Sequence, residues 1–281
     1  MAVPQNAGMH TRTIPSSGAA LPVIGCGTWI GFDVGARPAE LPQRAAVLAE
    51  LSAAGGRVID SSPMYGSAEQ VVGQLLGADG QRAKHFIATK VWTSGKRAGI
   101  DQMERSMALL RTDRIDLLQV HNLVDWQTHL ATLRAWQEKG RVAYVGVTHY
   151  TESAHPELER VLQSTPLDFV QFNYSMAARN AEKRLLPLAA EHGVAVLVNL
   201  PFGGGSQLRA LRSKPLPAWA AEIGCTSWNQ LLLKFALSQP AVTCVIPGTS
   251  NPAHMKDNAA AGTGVIPPPE FWKDKLAGLG F

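Results

Sequence analysis

Cysteine is scarce in this chain of 281 residues, with Cys26, Cys225 and Cys244 the complete set. Their number is odd, and they follow neither a C-x-x-C nor a zinc-ligand spacing. A disulfide framework is therefore not expected, and the three read as reduced, mostly buried small side chains of a cytoplasmic protein. Charge is also sparse: Asp, Glu, Lys and Arg make up 17% of the chain, the net charge is +4, and no basic block is interleaved with aromatics. Nucleic acid is not an expected partner. No apolar run is long enough to span a bilayer, so no membrane association is expected. The first ten residues, Met1 to His10, lack the basic start and apolar core of a secretory signal. Nor is there a linker or a shift in composition, and residues 1–281 read as one domain. With no large apolar patch evident in the composition, a monomer is the default expectation.

What is present is a period. Short runs, nearly all apolar, begin at Val23, Arg57, His85, Ile115, Val142, Asp168, Val194 and Val242. Up to the last gap they start about 30 residues apart, the length of a strand, a helix and two turns. Runs that are apolar throughout suit strands covered on both faces. Helix punctuation lies between them. Ser67-Ala-Glu-Gln70 has the form of a capping box. Gly55, Gly140 and Gly193 stand where helices should stop, and Asn251-Pro252 where one should start. The expected fold is α/β: a parallel eight-stranded (β/α)8 TIM barrel, with residues 10–22 forming an N-terminal hairpin that closes its bottom. Residues 201–220, rich in Gly, Pro and basic side chains, read as a long loop. Gly25, Gly27 and Gly31 imitate a dinucleotide fingerprint, but the third glycine comes one residue late and loop sequence follows, which argues against a Rossmann unit.

Chemistry in such a barrel belongs to the C-terminal ends of the strands. Those positions hold Asp60 and Tyr65 after the second strand, Lys90 at the end of the third and His121 at the end of the fourth. Each alone has an ordinary structural explanation, such as a turn cap, a half-buried ring, a solvated strand end or a satisfied core histidine. Together, at the ends of apolar strands on one rim, they must find partners among themselves. An ammonium beside a phenol stabilises the phenolate, a carboxylate keeps that ammonium charged, and an imidazole can bond a substrate oxygen. The set is suited to protonating a carbonyl oxygen while hydride arrives at its carbon, which requires a hydride donor. A metal hydrolase reading fails on ligand count, since His121 and His149 are the only histidines at strand ends, and no metal is expected.

At these residues the chain resembles the aldo-keto reductase family. The resemblance rests on Asp60-Ser-Ser-Pro-Met-Tyr65-Gly, Ala-Thr-Lys90-Val, Asp116-Leu-Leu-Gln-Val-His121-Asn, Val170-Gln-Phe-Asn-Tyr174 and Val245-Ile-Pro-Gly-Thr-Ser-Asn-Pro252 with Asn258. It implies NAD(P)H-dependent, reversible reduction of aldehydes or ketones, with a small-molecule carbonyl compound as substrate. Tyr65 would be the general acid, Lys90 and Asp60 its partners, and His121 the residue orienting the carbonyl. The cofactor would contact Thr28 and Gln171 on its nicotinamide side, and Thr249, Ser250 and Asn258 at its adenosine end. Asn251, at a helix start, and Gly203 and Gly204, whose missing side chains admit a pyrophosphate, fit the same ligand. Trp29 and Trp92 would line the substrate pocket.

The chain departs from the family at informative places. Thr148-His149 replaces a serine–asparagine pair, which sets an imidazole where an amide usually bonds the carboxamide. Asn199, within Val198-Asn-Leu-Pro-Phe202, stands where an aromatic often stacks on the nicotinamide. Gly248 and His254 occupy positions that are basic in many NADPH-preferring members. NADPH is still the expected donor, because neutral donors at a helix start favour an anion, and NADH is the alternative. A non-catalytic barrel that binds the cofactor as a redox sensor is the competing reading, against which Tyr65 and Lys90 both count.

Overall fold

The computed structural model describes residues 8–35, 37–78 and 80–279; residues 1–7, part of the stretch read for a signal, lie outside them. The apolar runs become strands. A hairpin of β1 (Thr11–Thr13) and β2 (Ala20–Pro22) comes first, paired antiparallel. The barrel strands follow: β3 (Cys26–Gly27), β4 (Val58–Asp60), β5 (Phe86–Val91), β6 (Ile115–His121), β7 (Val142–Thr148), β8 (Phe169–Asn173), β9 (Ala195–Asn199) and β10 (Val242–Val245). They pair in parallel in sequence order. The first and last meet through the bridges Ile24–Val245 and Gly27–Gly248, and the Gly25 N–H donates to the Val245 carbonyl at 2.9 Å. Gly25 leaves no room for a side chain at this seam, since a Cβ there would lie 2.8 Å from Val58 Cβ of β4 and 3.1 Å from Ile246 Cγ2 just after β10.

Helices α1 (Leu41–Ala53), α2 (Ala68–Ala78), α3 (Lys96–Leu110), α4 (Trp126–Glu138), α5 (His155–Ser164) and α6 (Leu185–Glu191) cover the outside. After β9 come α7 (Ser206–Leu211) and α8 (Trp228–Leu237), and after β10 comes α9 (Pro252–Ala260). Gly55, Gly140 and Gly193 all take positive φ beyond α1, α4 and α6, as their placement predicts. Asn251 caps α9, its Oδ1 accepting the Ala253 N–H at 2.9 Å, with proline in the first turn. Two expectations change. Residues 201–220 are not all loop, because α7 forms within them. Ser67 precedes α2 as expected, but its hydroxyl accepts from the Gly35 N–H and donates to Asp33, tying the loop after β3 to the loop after β4. The close approach of these two loops draws the hydroxyl away from the helix it was expected to cap.

Strand alternation sorts the side chains into two cores. Ile59, Ile87, Leu118, Val147, Val170 and Val196 face the helices. Val58, Phe86, Ala88, Leu117, Phe169, Ala195, Leu197 and Cys244 fill the barrel, and Ile14 and Leu21 of the hairpin join them from below. The hairpin is thus the floor. Two residues further along the same inward rows, the apolar layer gives way to Asp60, Lys90, Gln119, Gln171 and Asn199. All three cysteines are buried and free. Among the described residues, no helix is long and apolar enough to cross a membrane.

Candidate active site

The polar layer at the top of the barrel is organised around Lys90, which is 1% exposed. Its Nζ donates to Asp60 Oδ2 at 2.7 Å and to the Ser61 carbonyl at 2.6 Å. It also lies 5.1 Å from the centroid of the Tyr65 ring. Burial works against the ammonium, but Asp60 and the Tyr65 phenol together lift its pKa above the ordinary lysine value. Thr28, fully buried, holds the Asp60–Ser61 backbone, with Oγ1 3.0 Å from both the Asp60 carbonyl and Ser61 Oγ.

Tyr65 packs edge-on against His121, ring centroids 6.0 Å apart. Burial pushes the phenol above its usual range, while Lys90 pulls it down by a smaller amount. The lysine acts in the direction its chemistry predicts, but desolvation outweighs it. His121 is driven the other way, to about 2, by burial first and then by the charge of Lys90 and by His149. The imidazole is therefore neutral at any working pH, and Ser62 Oγ holds its Nδ1 at 3.1 Å.

Gln171, expected at the cofactor, is tied into this layer. Its Oε1 accepts from Gln119 at 3.1 Å, and its amide draws the Asp60 pKa down against the upward push of burial. Ser62 and Gln119 were not singled out in the sequence. A hydroxyl two residues from an inward acid, and an amide two residues before the inward histidine, are the signals that point to them.

Around the rim from β7 to β10 lie the other expected residues. Thr148 is buried at the end of β7. His149 Nδ1 accepts the N–H groups of Tyr150 and Thr151 at 3.0 and 3.3 Å, so the ring proton sits on Nε2. Asn199 Nδ2 donates to the His149 carbonyl at 3.2 Å, while its Oδ1 is buried without a partner among the described residues. Phe202 is buried, and Gly203 and Gly204 both have positive φ, with open space where a Gly204 Cβ would stand. Beyond β10 the Thr249 hydroxyl accepts the Asn251 N–H at 3.0 Å, and Asn251 in turn holds the Ala253 N–H. Two of the backbone donors expected to serve an anion are thus already engaged within the turn, and Ser250, just before them, is half-buried. Asn258 Oδ1 accepts from Asn229 at 3.0 Å, which orients the amide.

Trp29 and Trp92 are 55% and 41% exposed, and Ile30, Met64 and Tyr150, also exposed, follow strands of the same end. Together they give the mouth an apolar rim. Backbone strain gathers here as well. Ile30, Asn122, Leu123, Asp125 and Leu200 take positive φ in loops leaving β3, β6 and β9. Strained loops over an otherwise regular barrel mark a functional end. Among the described residues, no group of three or more His, Cys, Asp or Glu side chains is placed to hold a metal ion.

Residues 23–272 match the model of the aldo/keto reductase family. The chain is 30% identical over 261 residues to methylglyoxal reductase YeaE of Escherichia coli, covering 90% of this chain and 89% of that protein. An aldo-keto reductase of Mycobacterium sp. (strain JLS) is 29% identical over 251 residues, covering 86% of this chain and 84% of that one. Among solved structures, an aldo/keto reductase from Klebsiella pneumoniae in complex with NADP and acetate superposes with a TM-score of 0.78 at 28% identity, covering 95% of this chain and 93% of that one.

Proposed function

This chain belongs to the aldo-keto reductase family of carbonyl-reducing oxidoreductases, and from that premise we propose that Tyr65 is the proton donor in reduction of small aldehydes or ketones by a nicotinamide cofactor. The observation that carries the reading is the buried Lys90, bonded to Asp60 at 2.7 Å and set against the Tyr65 ring.

A bound reduced nicotinamide supplies the hydride. The chain's own side chains manage the proton. Tyr65 holds a proton through neutral pH, since burial keeps its pKa high. When the substrate oxygen gains charge, the Lys90 ammonium stabilises the phenolate left behind, and Asp60 keeps that ammonium in place. His121, with a pKa near 2, is not a proton source at neutral pH. With Nδ1 held by Ser62 Oγ, Nε2 is the nitrogen left to bond and aim the carbonyl oxygen.

The rim residues fit the cofactor. Asn199 Oδ1 is a buried acceptor lacking a donor among the described residues, and His149 presents an Nε2–H. A carboxamide offers the complement of both. Gly204 leaves backbone open for a pyrophosphate, whereas the Gly203 N–H is already engaged by the Leu200 carbonyl at 2.8 Å, and Asn258, held by Asn229, would serve the adenosine end. Thr28 and Gln171 support the nicotinamide side by bracing Asp60. NADPH is the proposed donor, with Thr249, Ser250 and Lys256 near the 2′-phosphate, in keeping with the NADP bound to the Klebsiella relative. The engaged Asn251 and Ala253 N–H groups favour NADH as the second reading, because they reduce the free donors at that helix start. The open apolar rim of Trp29 and Trp92 suits a compact substrate, and methylglyoxal, for which the Escherichia coli relative is named, is a fitting probe. The reaction is placed in the cytoplasm, where the three cysteines stay reduced.

The test is consumption of NADPH and of NADH, measured separately, with methylglyoxal and an aromatic aldehyde. Turnover supports the reading, and the ratio of the two rates decides the cofactor. Tight cofactor binding without turnover on any carbonyl would replace it with a sensor role.

A further inference from the structure

One buried carboxylate has no place in the proton path described above. Glu69 lies in the first turn of α2 and is 2% exposed. Thr89 Oγ1 donates to its Oε1 at 2.5 Å, and Ser106 Oγ of α3 donates to its Oε2 at 3.0 Å. Among the described residues it has no ion-pair partner within contact distance; burial raises its pKa, and against that push act the Thr89 and Ser106 hydroxyls and then the charges of Lys90 on β5 and Arg105 on α3. Burying a carboxylate against two neutral hydroxyls is costly, and an apolar side chain of similar size would fill the space without that cost. A stabilising role is therefore a poor explanation for it.

Its connections suggest another. Thr89 faces the helices, and its neighbour Lys90 faces the barrel, so the two lie back to back on β5. Tyr65 lies just before α2, joined to it by the Ala68 N–H donating to the Tyr65 carbonyl at 3.1 Å. The Glu69–Thr89 bond therefore links, from outside the barrel wall, the helix that follows the phenol to the strand that bears the ammonium. Asp60 touches the ammonium directly inside the barrel, and Glu69, on the other side of the strand, feels its charge without contact. We infer that Glu69 is a positioning residue for the reaction: through Thr89 it fixes the spacing of Lys90 and Tyr65 and adds a second negative charge to the lysine's surroundings. This rests on the assignment of Tyr65 as proton donor.

Its test uses the full chain with Glu69→Gln, Thr89→Val, Thr89→Ser and Ser106→Ala. Glu69→Gln and Thr89→Val should each lower kcat about tenfold, with KM for the aldehyde and the cofactor Kd within about twofold of wild type. In Glu69→Gln the alkaline limb of the reduction pH profile should also move to lower pH, because losing a negative charge near Lys90 favours the phenolate. Thr89→Ser, which keeps the donor, should restore kcat, and Ser106→Ala, which leaves the β5 bond intact, should keep both kcat and the pH limb. A lower melting temperature in Glu69→Gln with unchanged kcat and pH profile would overturn the inference, as would an equal kcat loss in Ser106→Ala. Should Glu69→Gln fail to fold, the contrast between Thr89→Val and Thr89→Ser decides alone. Absence of turnover in wild type would remove the assignment of Tyr65 and this inference together, whereas the other outcomes bear on Glu69 only.

Discussion

At the scale of single residues, the charged layer depends on each group having its partner. Asp60, Tyr65, Lys90 and His121 were legible because polar side chains ending apolar runs have few ordinary uses. Ser62, Glu69 and Gln119 were not, because hydroxyls, amides and helical glutamates are common and their partners come from distant strands. Two predictions belong here. In reduction, kcat should be flat across about pH 6 to 9 and fall only as pH rises through the elevated pKa of Tyr65, since donation needs the protonated phenol. A histidine acid would instead give a loss as pH rises through about 6.5, which the depressed His121 does not allow. The pH–rate profile distinguishes them. Second, Lys90→Met leaves Asp60 buried without its cation and should cost about 3–5 kcal/mol at neutral pH. The unpaired carboxyl has a raised folded pKa, so its protonated form is the one that folds well. The loss should shrink as pH falls through that pKa, which urea denaturation at two pH values would reveal.

At the scale of elements, turn chemistry and periodicity were enough for all eight barrel strands and for the Asn251 cap, because both signals are local. Helix α7 was missed because the glycines before it and the prolines after it dominate the composition of its segment. Ser67 was misassigned to a cap because the pull of Asp33 comes from another loop, which no local pattern records. Packing between α2 and α3 is a long-range feature of the same kind. A Cβ at Gly73 would lie 2.0 Å from the Leu109 carbonyl oxygen, a backbone atom that cannot turn aside. Gly73→Ala should therefore cost about 1–3 kcal/mol despite its higher helix propensity. A stability gain on denaturation would contradict the close approach of the two helices.

At the scale of the whole molecule, the barrel separates support from chemistry along its axis. The hairpin and the apolar interior form one end, and the charged layer, strained loops and aromatic rim form the other. The hairpin was expected over residues 10–22 as the closure of the barrel bottom, but the insertion of Ile14 and Leu21 into the barrel interior emerges only when the strands are assembled. Ile14→Ala, at a site 1% exposed, should cost about 2–5 kcal/mol by leaving a cavity while kcat of the folded protein stays near wild type. Thermal unfolding alongside initial rates would check both halves. The assignment of the proton to Tyr65 is tested most directly by comparing wild type with Tyr65→Phe for aldehyde-dependent oxidation of the reduced cofactor and for cofactor affinity. The expected result is a kcat lower by about 10²- to 10⁴-fold with cofactor affinity nearly unchanged, the loss typical of a removed general acid. Near-wild-type kcat in Tyr65→Phe would contradict it and show that the proton comes from elsewhere.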